Sequence, residues 1–194
     1  MNRITVLTCA YALLAIPSMS AQSAVEVFGG YTINNMKPER NFDTTRLNGW
    51  NTTVTGYATR RFGITGDVAG SYGTVSPTST AGAGNSVDAS QYSFMTGPQF
   101  RLMQKERFNA SVRAVFGAAH GSLSIPTTTT PSTNYGAGND TVFASLVGSN
   151  FDVNVNKRFA LRFSPGLYLT QFNGETQKNL RFSVGPVFRF GARE

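Results

Sequence analysis

Strict alternation of apolar and polar residues runs through the last long segment of the chain. Between Leu180 and Phe190, Leu180, Phe182, Val184, Phe188 and Phe190 share one phase, together with Pro186; Arg181, Ser183, Gly185, Val187 and Arg189 share the other. A two-residue period of this kind is the signature of a strand with two unlike faces. Segments with the same period, bounded by clusters of Gly, Pro, Asn, Ser and Thr, predict eight strands at about 24–35, 47–59, 62–74, 89–102, 107–121, 141–155, 158–170 and 179–190. Their apolar phases carry Val25, Val27, Tyr31 and Ile33; Trp50 and Val54; Ile64, Val68 and Tyr72; Tyr92, Phe94 and Phe100. The later strands continue with Phe108, Val112 and Phe116, with Phe143, Val147, Phe151 and Val153, and with Phe159, Leu161, Phe163, Leu167 and Leu169.

The polar phase is where the charges fall. Glu26, Asp67, Arg113, Asp152, Arg162, Arg181 and Arg189 all lie on it, with Gln91, Gln99 or Arg101 according to local register. A water-soluble sheet would need another layer to cover its aromatic face, and no helical pattern is available to supply one. The arrangement that satisfies all eight segments is an all-β, eight-stranded antiparallel up-and-down transmembrane β-barrel, apolar outside and charged inside. An interior of eight strands is just wide enough for side chains to fill it, so the charges are expected to form a hydrogen-bonded ionic network. The competing arrangements are a soluble sheet with solvated charges, and a lipocalin-like soluble barrel with the phase reversed around an apolar ligand.

The connections alternate in length. Short turns are predicted at Arg60-Arg61, Met103 to Arg107 and Asn156-Lys157, and longer loops at about 36–46, 75–88, 122–140 and 171–178. Transmembrane barrels place short turns on the periplasmic side, which puts both chain ends there. The loop stretches from Thr74 to Asn85 and through Thr127 to Thr130 are rich in Thr, Ser, Gly and Pro and poor in charge. Before the first strand, Arg3, the apolar run Ile4 to Ile16 and the small residues up to Ala24 read as a secretory signal peptide, residues 1–23, ahead of a single barrel domain, 24–194.

Composition narrows the chemistry. Cys9 lies within the signal's apolar run, so no thiol or disulfide is expected in the processed chain, and with one histidine neither a metal site nor any cofactor is expected. Without Arg3 the chain has 16 basic and 10 acidic residues, a net charge of +6. The basic residues form no stripe, which argues against nucleic acid.

The chain resembles bacterial outer-membrane β-barrel proteins of the OmpA-like or OmpX-like eight-stranded type, within the broader porin-like grouping. The segment Ser183-Val184-Gly185-Pro186-Val187-Phe188-Arg189-Phe190 matches the polar-x-Gly-x-x-aromatic-x-aromatic signal of that family, in which Ser183, Gly185, Phe188 and Phe190 are the residues read by the barrel-assembly machinery. Val27-Phe28-Gly29-Gly30-Tyr31, Gly49-Trp50-Asn51 and Phe151-Asp152-Val153 are similar to other family segments. The resemblance implies a location in the Gram-negative outer membrane, with outer-membrane lipids and lipopolysaccharide, the assembly machinery and an extracellular partner for the loops as its contacts. Only Gly191 to Glu194 follow Phe190, so no peptidoglycan-binding domain of the OmpA kind is expected.

Three functions compete on such a scaffold. The first is a structural, surface-presenting barrel without catalysis, its four loops outside and Trp50, Tyr72, Tyr92 and Tyr135 contributing to an aromatic interface belt. The second is a small pore or ligand conduit, for which the small inward residues Gly30, Ala69, Gly97 and Gly117 would have to leave gaps. The third is a lipid A-modifying hydrolase: His120 and Ser122 share one face of a strand and are similar to the His-x-Ser pair of outer-membrane lipid A deacylases. That family's acidic partner has no match here; the nearest downstream acid is Asp140. Gly82-Ala83-Gly84 and Gly136-Ala137-Gly138 join no strand to a helix and read as loop, and the sequon Asn51-Thr52-Thr53 falls within a predicted strand.

Overall fold

The computed structural model describes residues 25–36, 45–75, 87–124, 140–172 and 175–191. The signal segment, Tyr135, both Gly-Ala-Gly stretches and the Thr127 to Thr130 run lie outside them. Eight strands follow one another: β1 (Val25–Met36), β2 (Thr45–Tyr57), β3 (Phe62–Val75), β4 (Val87–Gln104), β5 (Phe108–Ser124), β6 (Asp140–Asn154), β7 (Phe159–Phe172) and β8 (Glu175–Phe190). Each pairs antiparallel with the next, and β8 returns to β1 to close the barrel. Closure leaves no strand edge, so every ladder finds its partner inside the sheet. Among the described residues no helix is long and apolar enough to cross a membrane.

Every strand alternates between buried and outward-facing positions in the phase its sequence predicts. In β8, Arg181, Ser183, Gly185, Val187 and Arg189 are buried, while Leu180, Phe182, Pro186, Phe188 and Phe190 face out. The aromatic surface is therefore the outer one, and the lipocalin-like reversal is excluded. Pro186, which has no N–H to donate, sits at a gap in the hydrogen-bonded β1–β8 pairing between Val187 opposite Phe28 and Val184 opposite Tyr31. At the same place an added Cβ on Gly185 would run into the Gly29 carbonyl and the Gly30 Cα, so only glycine lets the closing strands approach this closely.

Two differences from the sequence reading matter. The long connection expected at 171–178 is not a long loop: β7 and β8 continue until Phe172 pairs with Glu175. The turn expected from Met103 is shorter as well, because β4 runs to Gln104 through a bulge between Arg101 and Met103. The bulge turns Leu102 and Met103 both outwards while keeping Arg101 inside.

The lumen is also less uniformly polar than the phase rule suggests. Phe28, Ala160 and Val187 form one small apolar cluster inside. Met95, Val115, Ala119, Ala144, Leu146 and Tyr168 form a second. Both clusters lie on the inward phase, beside the ionic groups.

Candidate functional site: the ionic interior

Glu26 and Asp152 anchor the first of two charged tiers, near the short turns. The register sets Glu26 directly opposite Arg189 across β1 and β8, and Asp152 opposite Arg162 across β6 and β7. Arg162 donates from Nε to Asp152 Oδ1 (2.6 Å) and from Nη2 to Glu26 Oε2 (2.7 Å), spanning from one pair to the other. Arg189 does the same from the opposite side, to Glu26 Oε1 (3.0 Å) and Asp152 Oδ2 (2.5 Å). Arg101 adds a third guanidinium on Glu26 Oε1 at 3.0 Å, its plane lying 3.7 Å from the centroid of the Tyr57 ring.

Asp67 on β3 centres the second tier. Its two oxygens accept separately from Arg113 (2.9 Å) and Arg181 (3.1 Å), and the carboxylate is fully buried. Neutral side chains join the tiers: Arg113 donates to Ser164, Ser164 to Asn150, Asn150 to Gln99, Gln99 to Tyr57, and Tyr57 to Glu26. A buried charge is tolerable only when it is paired and its remaining hydrogen-bonding capacity is largely used, and this network meets most of that requirement. Among the described residues five guanidiniums face three carboxylates, leaving the lumen with a formal excess of two positive charges.

Thus the seven charged residues singled out in the sequence are brought together, and Arg101 joins them. Gln99 connects the tiers, while Gln91 accepts a long 3.5 Å contact from Asn34 farther towards the other end. The sequence reading missed Tyr57, Asn150, Ser164 and Tyr168; each lies on the inward phase of its strand, and extending that phase residue by residue would have found them. The residues of the expected assembly signal divide by face. Ser183 is buried and donates to Thr32 at 2.9 Å, whereas Phe188 and Phe190 face out and the Phe188 ring meets Phe159 edge-on at 4.9 Å.

His120 and Ser122 lie together on the outward phase of β5. The histidine Nδ1 lies 3.0 Å from Thr141 Oγ1, and its register neighbours are Tyr92 and Thr141. Tyr31, Trp50, Tyr92 and His120 follow one another across the register of β1 to β5, with Gly70 completing the row on β3. The Trp50 indole lies where a Gly70 side chain would be, and the Tyr72 and Tyr92 hydroxyls hydrogen-bond at 2.8 Å. This is the geometry of an aromatic girdle. Asn51 of the sequon is buried and donates to the Val68 carbonyl. Among the described residues no group of three His, Cys, Asp or Glu could hold a metal ion.

A closed eight-stranded antiparallel barrel with an aromatic exterior and a charged lumen is the fold of eight-stranded outer-membrane barrels. Solved structures of that class match it over almost their whole length. Ail, the attachment invasion locus protein of Yersinia pestis, superposes with a TM-score of 0.60 at 18% identity, covering 87% of this chain and 99% of its own. Neisserial surface protein A gives 0.58 at 8% identity over 86% of this chain and 99% of its own. OprG of Pseudomonas aeruginosa gives 0.53 at 12% identity, covering 89% and 98%. No family model and no curated protein sequence matches the chain.

Proposed function

We propose that the protein is an integral outer-membrane barrel with an obstructed lumen, which reinforces the membrane and carries its longer connecting segments on the outer surface, without catalysis. The observation that carries this reading is the two-tier ionic network, in which seven ion pairs from seven strands cross the interior. Opening a path would require breaking pairs between buried charges, which is costly in a dry interior. The small inward residues support the same reading. A Cβ on Gly97 would meet the Ala114 carbonyl and one on Gly117 the Phe94 carbonyl, so the space beside them is filled by neighbouring backbone. The outward phase of His120 and the Thr141 hydroxyl beside it favour an interface role over activation of Ser122.

Periplasmic chain ends, contacts with lipopolysaccharide, assembly through Ser183, Gly185, Phe188 and Phe190, and an extracellular ligand for the segments after β1, β3 and β5 belong to the same proposal. Its test is refolding of the processed chain into lipid, followed by gel mobility with and without boiling and by planar-bilayer recording. A heat-dependent shift without steady conductance is the expected result. Discrete conductance steps would replace the obstructed barrel with a pore.

A further inference from the structure

The net charge of +6 on residues 24–194 is unevenly placed. The lumen holds +2, the last residues balance, and the strand ends and connections opposite the short turns sum to −1. The remaining +5 belongs to the three short turns: Arg60, Arg61, Lys105, Arg107, Lys157 and Arg158 stand against Glu106 alone, and all seven face out. Each turn ends in the same dipeptide, Arg61-Phe62, Arg107-Phe108 and Arg158-Phe159. Each of these phenylalanines packs on a second aromatic of the outer wall: Phe62 on Phe100 (5.0 Å), Phe108 on Phe151 (6.2 Å) and Phe159 on Phe188 (4.9 Å).

The turns are fixed to the barrel. Arg101 donates from its backbone to the Arg61 carbonyl and from its side chain to that of Arg60. Asn154 binds the Lys105, Glu106 and Arg107 carbonyls, and the Arg189 N–H binds that of Arg158. An arginine one residue before each ring pair places a cation close to where the aromatic outer wall begins. Three such units on one rim form a collar.

We infer that this rim is a contact site for anionic phospholipid headgroups in the leaflet that surrounds the short turns. The inference rests on the membrane-barrel reading and adds a headgroup class and six residues to it. Guanidiniums on a backbone held by the barrel offer a phosphate paired donors as well as charge, and an anionic headgroup gains over a zwitterionic one because no ammonium of its own cancels the attraction.

The test reconstitutes the full processed chain in phosphatidylcholine vesicles and adds trace phosphatidylglycerol or phosphatidylcholine, each spin-labelled at the same acyl position. The motionally restricted fraction of each label is then compared by electron paramagnetic resonance. Phosphatidylglycerol should be favoured about three- to fivefold, and about 1 M salt should remove most of the preference. Replacing all six basic residues by Gln should abolish it, and the triple change Arg60→Gln, Lys105→Gln and Lys157→Gln should halve it, with the heat-dependent gel shift retained. Equal restriction of both labels would overturn the inference while leaving the barrel intact. A preference unchanged in the variants or in salt would overturn it too. If neither label were restricted and no gel shift appeared, the barrel reading itself would have failed.

Discussion

Asp67 shows how much depends on single side chains in this lumen. It is the only carboxylate within reach of Arg113 and Arg181 among the ion pairs described, so Asp67→Asn leaves two buried guanidiniums without a counter-charge. The expected cost is about 3–5 kcal/mol, read from urea unfolding in vesicles with Trp50, the single tryptophan, as the fluorescent probe. Adding Arg113→Met and Arg181→Met to Asp67→Leu should recover most of the loss, because an apolar replacement of the whole group leaves no stranded charge. A triple variant as unstable as Asp67→Asn would mean that shape, and not charge, dominates there. At the other kind of position, His120→Ala and Ser122→Ala should leave lipid A acylation unchanged by mass spectrometry, since the histidine Nδ1 lies beside the Thr141 hydroxyl. Fatty-acid release by the unaltered protein that either variant lost would restore the hydrolase.

Strands explain why some positions tolerate change and others do not. Gly185→Ala forces a methyl into the backbone of β1 at the closing seam, whereas Gly66→Ala enters open space. The first should lose about 1–3 kcal/mol by overpacking, and the second should be close to neutral in the same urea titration. Equal effects would place the cost in glycine's backbone freedom instead of the seam. The outer face makes a separate prediction. Phe94 faces out from the middle of β4, and Phe94→Arg should cost about 2–4 kcal/mol in a bilayer, against a much smaller loss for a charge added near Arg158 at the rim. Much of this level was legible, because alternation is a property of a single strand. The bulge at Arg101 was not, since it depends on how β4 meets β5. The run-on of β7 into β8 could have been read from Asn173-Gly174, a residue pair suited to a two-residue hairpin connection.

For the molecule as a whole, closure couples the eight ladders and the lumen into one unit. Unfolding should accordingly be a single transition, and its midpoint should change little between about 0.05 and 1 M salt, because buried pairs are poorly screened. The headgroup preference of the rim should disappear over the same range. If the midpoint fell with the preference, exposed charges would be carrying the stability, and the lumen would be wetter than its burial indicates.

Alternation and turn spacing along the chain, by themselves, determined the number of strands, the face taken by residues away from the bulge and, Arg101 apart, the set of charges that enters the barrel, because these follow from the two-residue period of an extended backbone. They also placed Asp152 and Glu26 on the same side as the arginines that neutralise them. Apart from Asp152 and Arg162, which the β6–β7 hairpin sets opposite each other, which carboxylate meets which guanidinium was decided only by closure. Arg189 and Glu26 are 163 residues apart, and Arg162 reaches Glu26 across the lumen from a strand with which β1 shares no ladder. The apolar clusters inside were decided in the same way, since each brings together residues of different strands that a local period does not relate.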